Sequence, residues 1–166
     1  MDKTQVRLYL GCGDDFRRNR INVDIRVPVH IPEGVEFIES DVRKLPWGNE
    51  TVDEISATHV IEHFIDPDPI LQEWKRVLKK NGRLLLACPD LDRLIQLYTS
   101  GHWKIDQFVH YVYGGRNYEF NCHYNGFNED RMRRTLERNG FHEIAFRKTN
   151  SKVIKAFPLR VTCRKR

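Results

Sequence analysis

Short apolar runs broken by polar turns fill the first half of the chain. Val6 to Leu10 is apolar and β-prone and stops at Gly11-Cys12-Gly13, which predicts a buried strand followed by a tight glycine turn. Arg20 to Ile25, Val35 to Glu39 and Val52 to Ala57 predict three further strands. The third stops at Ser40-Asp41 and the fourth at Thr58-His59. A fifth strand, Arg83 to Cys88, is nearly all apolar and stops at Pro89-Asp90. Strands that are apolar at almost every position are covered on both faces, as in a parallel sheet with helices above and below.

Between the fourth and fifth strands the period changes. Ile70, Leu71, Trp74, Val77 and Leu78 share one face of a helix. Asp68 is placed to cap it and Pro69 to open its first turn. Lys79 and Lys80 would sit at its negative end, with Asn81-Gly82 as the stop. Strand, helix, strand predicts a right-handed parallel unit. Further on, Leu91, Leu94, Ile95 and Tyr98 mark one helical face, and Ile105, Phe108, Val109 and Val112 another. A last helix is predicted from Asn128, with Phe127 stapled to Met132 and a stop at Asn139-Gly140. Alternation at Ile144 and Phe146, then at Leu159, Val161 and Cys163, predicts two closing strands antiparallel to each other. No repeat, low-complexity tract or linker interrupts the pattern, so residues 1–166 are read as a single α/β domain.

Composition narrows the class. With 40% hydrophobic and 31% charged residues among 166, the chain suits one folded domain rather than a disordered segment. No apolar run reaches the roughly 20 residues of a membrane span. The start, Met1 to Gln5, is polar and lacks the apolar core of a signal peptide, so the expected location is cytoplasmic. Cys12, Cys88, Cys122 and Cys163 are far apart and form no CxxC pair; they are expected as reduced thiols, and no metal-ligand set stands out. The net charge of +5 would attract anions such as nucleotide sugars, lipid headgroups or nucleic acid, with an ordinary solvated surface as the alternative reading. No nucleic-acid module accompanies the charge, so a nucleic-acid partner is permitted but not favoured. Oligomeric state leaves no mark on the pattern.

Three features fall at the C-terminal ends of successive predicted strands: Gly11-Cys12-Gly13, Asp24, and Asp41-Val42. In an open parallel sheet, ligands bind outside those ends. Bare glycine backbone lets a ligand approach closely. Asp24 is placed to accept from ribose hydroxyls. Asp41 and the Val42 N–H are placed to accept from and donate to an adenine.

The runs Leu8-Tyr9-Leu10-Gly11-Cys12-Gly13, Ile21-Asn22-Val23-Asp24-Ile25, Asp41-Val42-Arg43-Lys44-Leu45-Pro46-Trp47 and His59-Val60-Ile61-Glu62-His63-Phe64 occur in this order. They are followed by Glu73-Trp74-Lys75-Arg76-Val77-Leu78-Lys79-Lys80-Asn81-Gly82-Arg83, and later by Asn121-Cys122-His123 and Asn139-Gly140-Phe141. Together they resemble the class I S-adenosylmethionine (SAM)-dependent methyltransferases, and within them the small methyltransferase type 11-like group. The resemblance implies a Rossmann-like, doubly wound, mostly parallel sheet of about seven strands with antiparallel C-terminal strands. It implies SAM as methyl donor. The turn Gly11-Cys12-Gly13 would then lie at the methionine end of SAM, Asp24 at the ribose, Asp41 and Val42 at the adenine, and Thr58 and His59 beside the sulfonium and acceptor. Three departures from the family pattern stand out. Tyr9 replaces an acidic residue, and Asp15 replaces a third glycine. Only positions 14–23 separate Gly13 from Asp24, fewer residues than a helical crossover needs, so the first helix is expected to be short or missing.

Methyl transfer from SAM requires an acceptor aligned with the carbon–sulfur bond and water kept out. An oxygen acceptor also gains from a general base, for which His123, His63 and Asp90 are the candidates. Each has a structural alternative: packing for the two histidines, and capping of the next helix for Asp90 or Asp92. The aromatic stretch with Trp103, Tyr111, Tyr118 and Tyr124 is expected either to cover the acceptor or to be a packing face. The expected acceptor is a small molecule, anionic or sugar-like, with a nucleotide sugar as the leading class. Alternatives are a SAM-binding protein without transfer and a nucleic-acid methyltransferase. Against the latter, Ser56-Ala57-Thr58-His59 lacks the Asn/Asp-Pro-Pro-aromatic run of base-amino methylation. An NAD oxidoreductase is disfavoured because Phe16 stands where GxGxxG needs its last glycine.

Overall fold

A computed structural model describes residues 5–117, 120–147 and 158–166. Met1 to Thr4, on which part of the signal-peptide expectation rests, and Tyr118 of the aromatic stretch lie outside the described residues. Strands β1 (Arg7–Leu10), β2 (Ile21–Asp24), β3 (Glu36–Glu39), β4 (Val52–Thr58) and β5 (Leu78–Pro89) run parallel, joined by β6 (Phe141–Arg147) and β7 (Pro158–Lys165). The order in the seven-stranded sheet is β3-β2-β1-β4-β5-β7-β6, with β7 antiparallel to both neighbours. This is the expected Rossmann-like, doubly wound arrangement. Strand order reverses between β1 and β4, which puts the ligand crevice outside their C-terminal ends.

The first crossover has no helix. Between β1 and β2 the chain forms only turns, and a buried side chain organises them. Asn22 is fully buried on β2; its Oδ1 accepts from Arg17 N (2.7 Å), while its Nδ2 lies within 3.0–3.1 Å of the carbonyls of Arg17, Arg20 and Glu36. One amide thus meets crossover backbone groups that a helix would have satisfied internally and ties them to Glu36 of β3. Phe16 packs edge-on against Phe37 of β3 and closes the turn over the sheet.

Among the described residues four α-helices follow: α1 (Asp68–Val77), α2 (Leu91–Thr99), α3 (Ile105–Tyr113) and α4 (Glu129–Arg138). In α1 the predicted face is buried at Ile70, Leu71, Trp74 and Val77, but both predicted ends shift. Asp68 lies inside the helix instead of capping it and binds Arg138 and Asn139; the first backbone turn is met by Asp66, which accepts from Asp68 N at 3.0 Å. The helix stops at Val77 because Leu78 already pairs with Val52, and Lys79 holds Asp53 across the strand pair at 2.7–2.8 Å. Lys79 and Lys80 therefore belong to β5. In α2 the buried face is Leu94 and Leu97, whereas Ile95 and Tyr98 are exposed. α4 begins as expected, with the Asn128 side chain accepting from Arg131 N at 2.9 Å and Phe127 and Met132 both buried. The main core fills both faces of the sheet, from Leu8 and Leu10 through Trp74 to Leu136 and Phe141. A smaller cluster of Leu94, Leu97 and Trp103 seats α2 on α3.

Candidate functional site

At the end of β1 the chain turns on two glycines in the left-handed region, Gly11 (φ 63°) and Gly13 (φ 50°). Gly11 N and Cys12 N both donate to Val23 O on β2 (2.8 and 3.2 Å). A Cβ on Gly11 would collide with the Val60 side chain, whereas one on Gly13 would find only Arg26, at 3.8 Å. Asp24 ends β2 and fixes this turn: its Oδ2 accepts from Gly13 N (2.8 Å) and its Oδ1 from Arg26 N (2.9 Å). Asp41 repeats the device beyond β3, its Oδ1 accepting from Arg43 N at 2.8 Å. The two segments Asp24-Ile25-Arg26 and Asp41-Val42-Arg43 are thus matching Asp-x-Arg turns. The Arg43 guanidinium also grips Asp41 with both Nε and Nη2, which holds that carboxyl below the usual carboxylate range. Val42 is buried and its carbonyl accepts from Trp74 Nε1 (2.9 Å), which anchors the turn to α1. His59 leaves β4 with φ 55°, an uncommon conformation for a side-chain-bearing residue; its N–H donates to Ala87 O at 2.8 Å.

These residues converge. Gly11, Gly13, Asp24, Asp41, Val42 and His59 line one cavity of about 330 Å³, together with Arg26, Arg43, Val60, His63, Phe64, Phe120 and Tyr124. Cys12, Thr58, Asp90 and His123 are not among its lining residues. Cys12 is buried, its sulfur 3.5 Å from Gly13 O and its thiol pushed up to about 12 by burial. Thr58 ends β4 and bonds the Tyr9 side chain behind the turn. Asp90 caps α2 through Arg93 N (3.5 Å), with burial raising its carboxyl. The two departures in the glycine motif meet each other: Tyr9 OH lies 3.0 Å from Asp15 Oδ2, and Arg17 bonds Asp15 while lying over the Tyr9 ring.

The far end of the cavity is built on the single helical turn after β4. His59 Nδ1 bonds Glu62 Oε1 at 3.1 Å, and Glu62 is only 1% exposed. Its other oxygen, Oε2, is buried and has no hydrogen-bond partner among the described residues. The Glu62 carbonyl accepts from Tyr124 N and Asn125 N (2.9 and 3.1 Å), which docks the loop after α3 onto this turn. The same loop brings in His123. His63 Nδ1 bonds Cys122 O (3.0 Å), His123 Nδ1 bonds Tyr111 O (2.9 Å), and the two rings meet edge to face at 4.8 Å. Burial lowers the His123 pKa, favouring the neutral ring. His123 faces a second cavity of about 180 Å³ between α2, α3 and this loop.

Sequence reasoning gave no role to Arg26, Arg43, Phe120 or Glu62. The repeated Asp-x-Arg spacing was a readable signal for the two arginines. Phe120 and the burial of Glu62 depend on how the loop after α3 folds back, which no local pattern carries.

Comparison with known proteins agrees with this geometry. Residues 10–86 match the Methyltransf_11 family model, a methyltransferase domain. A ubiquinone/menaquinone biosynthesis C-methyltransferase of Acidiphilium cryptum is 30% identical over 93 residues, 56% of this chain and 32% of that protein. The chain spans less than a third of the length of the curated relatives it matches. Among solved structures, a SAM-dependent methyltransferase of Methanosarcina mazei superposes with a TM-score of 0.64 at 16% identity, covering 99% of this chain and 94% of the other. The 1,6-didemethyltoxoflavin-N1-methyltransferase of Burkholderia thailandensis, solved with its substrate and S-adenosylhomocysteine (SAH), gives 0.67 at 18% identity over 96% and 70%. Residues 10–86, a little under half of the chain, are thus similar to the Methyltransf_11 methyltransferase domain, and the fold around them is that of solved SAM-dependent methyltransferases.

Proposed function

We propose that the protein transfers the methyl group of SAM to a small anionic acceptor. The observation that carries this reading is the convergence of Asp24, Asp41 and the bare Gly11–Gly13 backbone on one cavity at the strand-order switch. The cavity fits the group: Gly13 leaves open space beside its backbone, and two carboxylates from successive strand ends face the same space. Bound there, SAM supplies an electrophilic methyl on its sulfonium.

The remaining work belongs to the chain. Asp24 keeps lone pairs for ribose hydroxyls while its bonds to Gly13 N and Arg26 N hold it in place. Asp41 and the Val42 N–H take the adenine, with Arg43 swinging from its present grip on Asp41. Arg26 and Arg43 line the cavity beside Asp24 and Asp41, and their guanidinium donors are what an anionic acceptor would use, with nucleotide sugars as the leading class. Phe64, Phe120 and Tyr124 exclude water from the reacting end. An acceptor proton passes to His63, which lines the cavity, with His123 beside it. Asp90 spends its carboxylate on the α2 cap and lies outside this role. The described cysteines are all free thiols, in keeping with a reducing, cytoplasmic location, and none of the described helices is long and apolar enough to cross a membrane.

The test is turnover. Incubation with methyl-labelled SAM and a panel of sugar phosphates and nucleotide sugars is expected to release SAH and label one acceptor class. Tight SAM binding with no SAH release across the panel would instead favour a binding protein that transfers nothing.

A further inference from the structure

We propose that Glu62, His63 and His123 form a binding site for one divalent transition-metal ion of the zinc class. One ligating atom from each residue lies within 4.8 Å of the other two. The buried, unpartnered Glu62 Oε2 is the second observation, independent of that spacing. A carboxylate oxygen left without a donor in the interior costs free energy, and a cation supplies what it lacks.

The histidines are prepared in the same sense. Each Nδ1 is committed to a backbone carbonyl, His63 to Cys122 and His123 to Tyr111. That bond fixes the tautomer and leaves Nε2 as the free lone pair, the usual outer-shell arrangement of a metal-binding imidazole. Glu62 has its own outer contact, His59 Nδ1 on Oε1. Two imidazoles and one carboxylate suit zinc, cobalt or iron rather than magnesium or calcium, and leave a position open. A tetrahedral ion holds its ligand atoms about 3.3 Å apart, so the present spread needs a modest closing movement of the rings. No sequence spacing announces the set, because two ligands are adjacent after β4 and the third arrives from the loop after α3. His63 also lines the main cavity, so an ion here would sit at the acceptor end, where it would take His63 Nε2 out of the proton-accepting role and itself lower the pKa of an acceptor hydroxyl; that role alone rests on the methyltransferase reading.

The experiment uses tag-free protein of residues 1–166, stripped with a chelator and without SAM. Co2+ is titrated and followed by visible d–d absorption, and Zn2+ is followed by the thermal melt. One equivalent of Co2+ should bind with visible bands, and Zn2+ should raise the melting temperature. Glu62→Gln and His123→Gln should each weaken binding by at least about tenfold, with circular dichroism confirming that they fold, while His102→Gln, at an exposed histidine, leaves it unchanged. Wild-type protein that takes up no Co2+, as expected if a buried water serves Glu62 Oε2, would overturn the site. So would equal uptake by wild type and both variants. Neither result bears on SAM binding, which is measured without metal.

Discussion

Single residues set the shape of the glycine turn, and the two glycines in it differ in kind. Gly11 is held left-handed with Val60 pressed against the space a side chain would need, whereas Gly13 is left-handed with open space beside it. Gly11→Ala is therefore expected to cost more than the left-handed strain of about 1–2 kcal/mol, and Gly13→Ala about that strain alone. Urea unfolding of the two variants measures this; equal losses would mean that Val60 moves aside freely. The glycine pattern and the positions of Asp24 and Asp41 were legible in the sequence, because strand ends with small or acidic residues are local signals. The partnership of Tyr9 with Asp15 was not. Each looks like a loss against the family pattern, and only the fold shows that the hydroxyl and the carboxylate meet 3.0 Å apart.

Among the elements, the strands were legible because short, nearly all-apolar runs leave few other readings. The ends of α1 were not. Lys79-Lys80-Asn81-Gly82 reads locally as the last turn and stop of a helix, but pairing of Leu78 with Val52 and of Lys79 with Asp53 draws the segment into β5. Tertiary pairing overrides a capping signal that is worth little by itself. The missing first helix was visible as a length constraint, but its replacement by Asn22 was not. Asn22→Asp would bring a carboxylate against the carbonyls of Arg17, Arg20 and Glu36 in a fully buried position. The expected loss is about 3–5 kcal/mol in chemical denaturation, from lost hydrogen bonds and an uncompensated buried charge. A loss below about 1 kcal/mol would show that the crossover is not held by this amide.

At the scale of the whole molecule, the site exists because separate strand ends and one returning loop are brought to the same edge. β1, β2 and β3 deliver the glycine turn and the two aspartates, β4 delivers His59, and the loop after α3 supplies the aromatic wall and His123. The parallel sheet was readable from the sequence, and with it the first four of these contributions. The loop was not, since its place depends on the Glu62 carbonyl and on Asn125, which bonds the carbonyls of Phe64 and Ile65. The most direct measurement is a calorimetric titration of SAH into wild type and Asp24→Asn, with NAD as the control ligand. Wild type should bind SAH and not NAD, and the variant should bind about 1.5–3 kcal/mol more weakly, roughly ten- to a hundredfold in Kd. NAD binding without any response to SAH, or SAH binding indifferent to Asp24, would contradict the account.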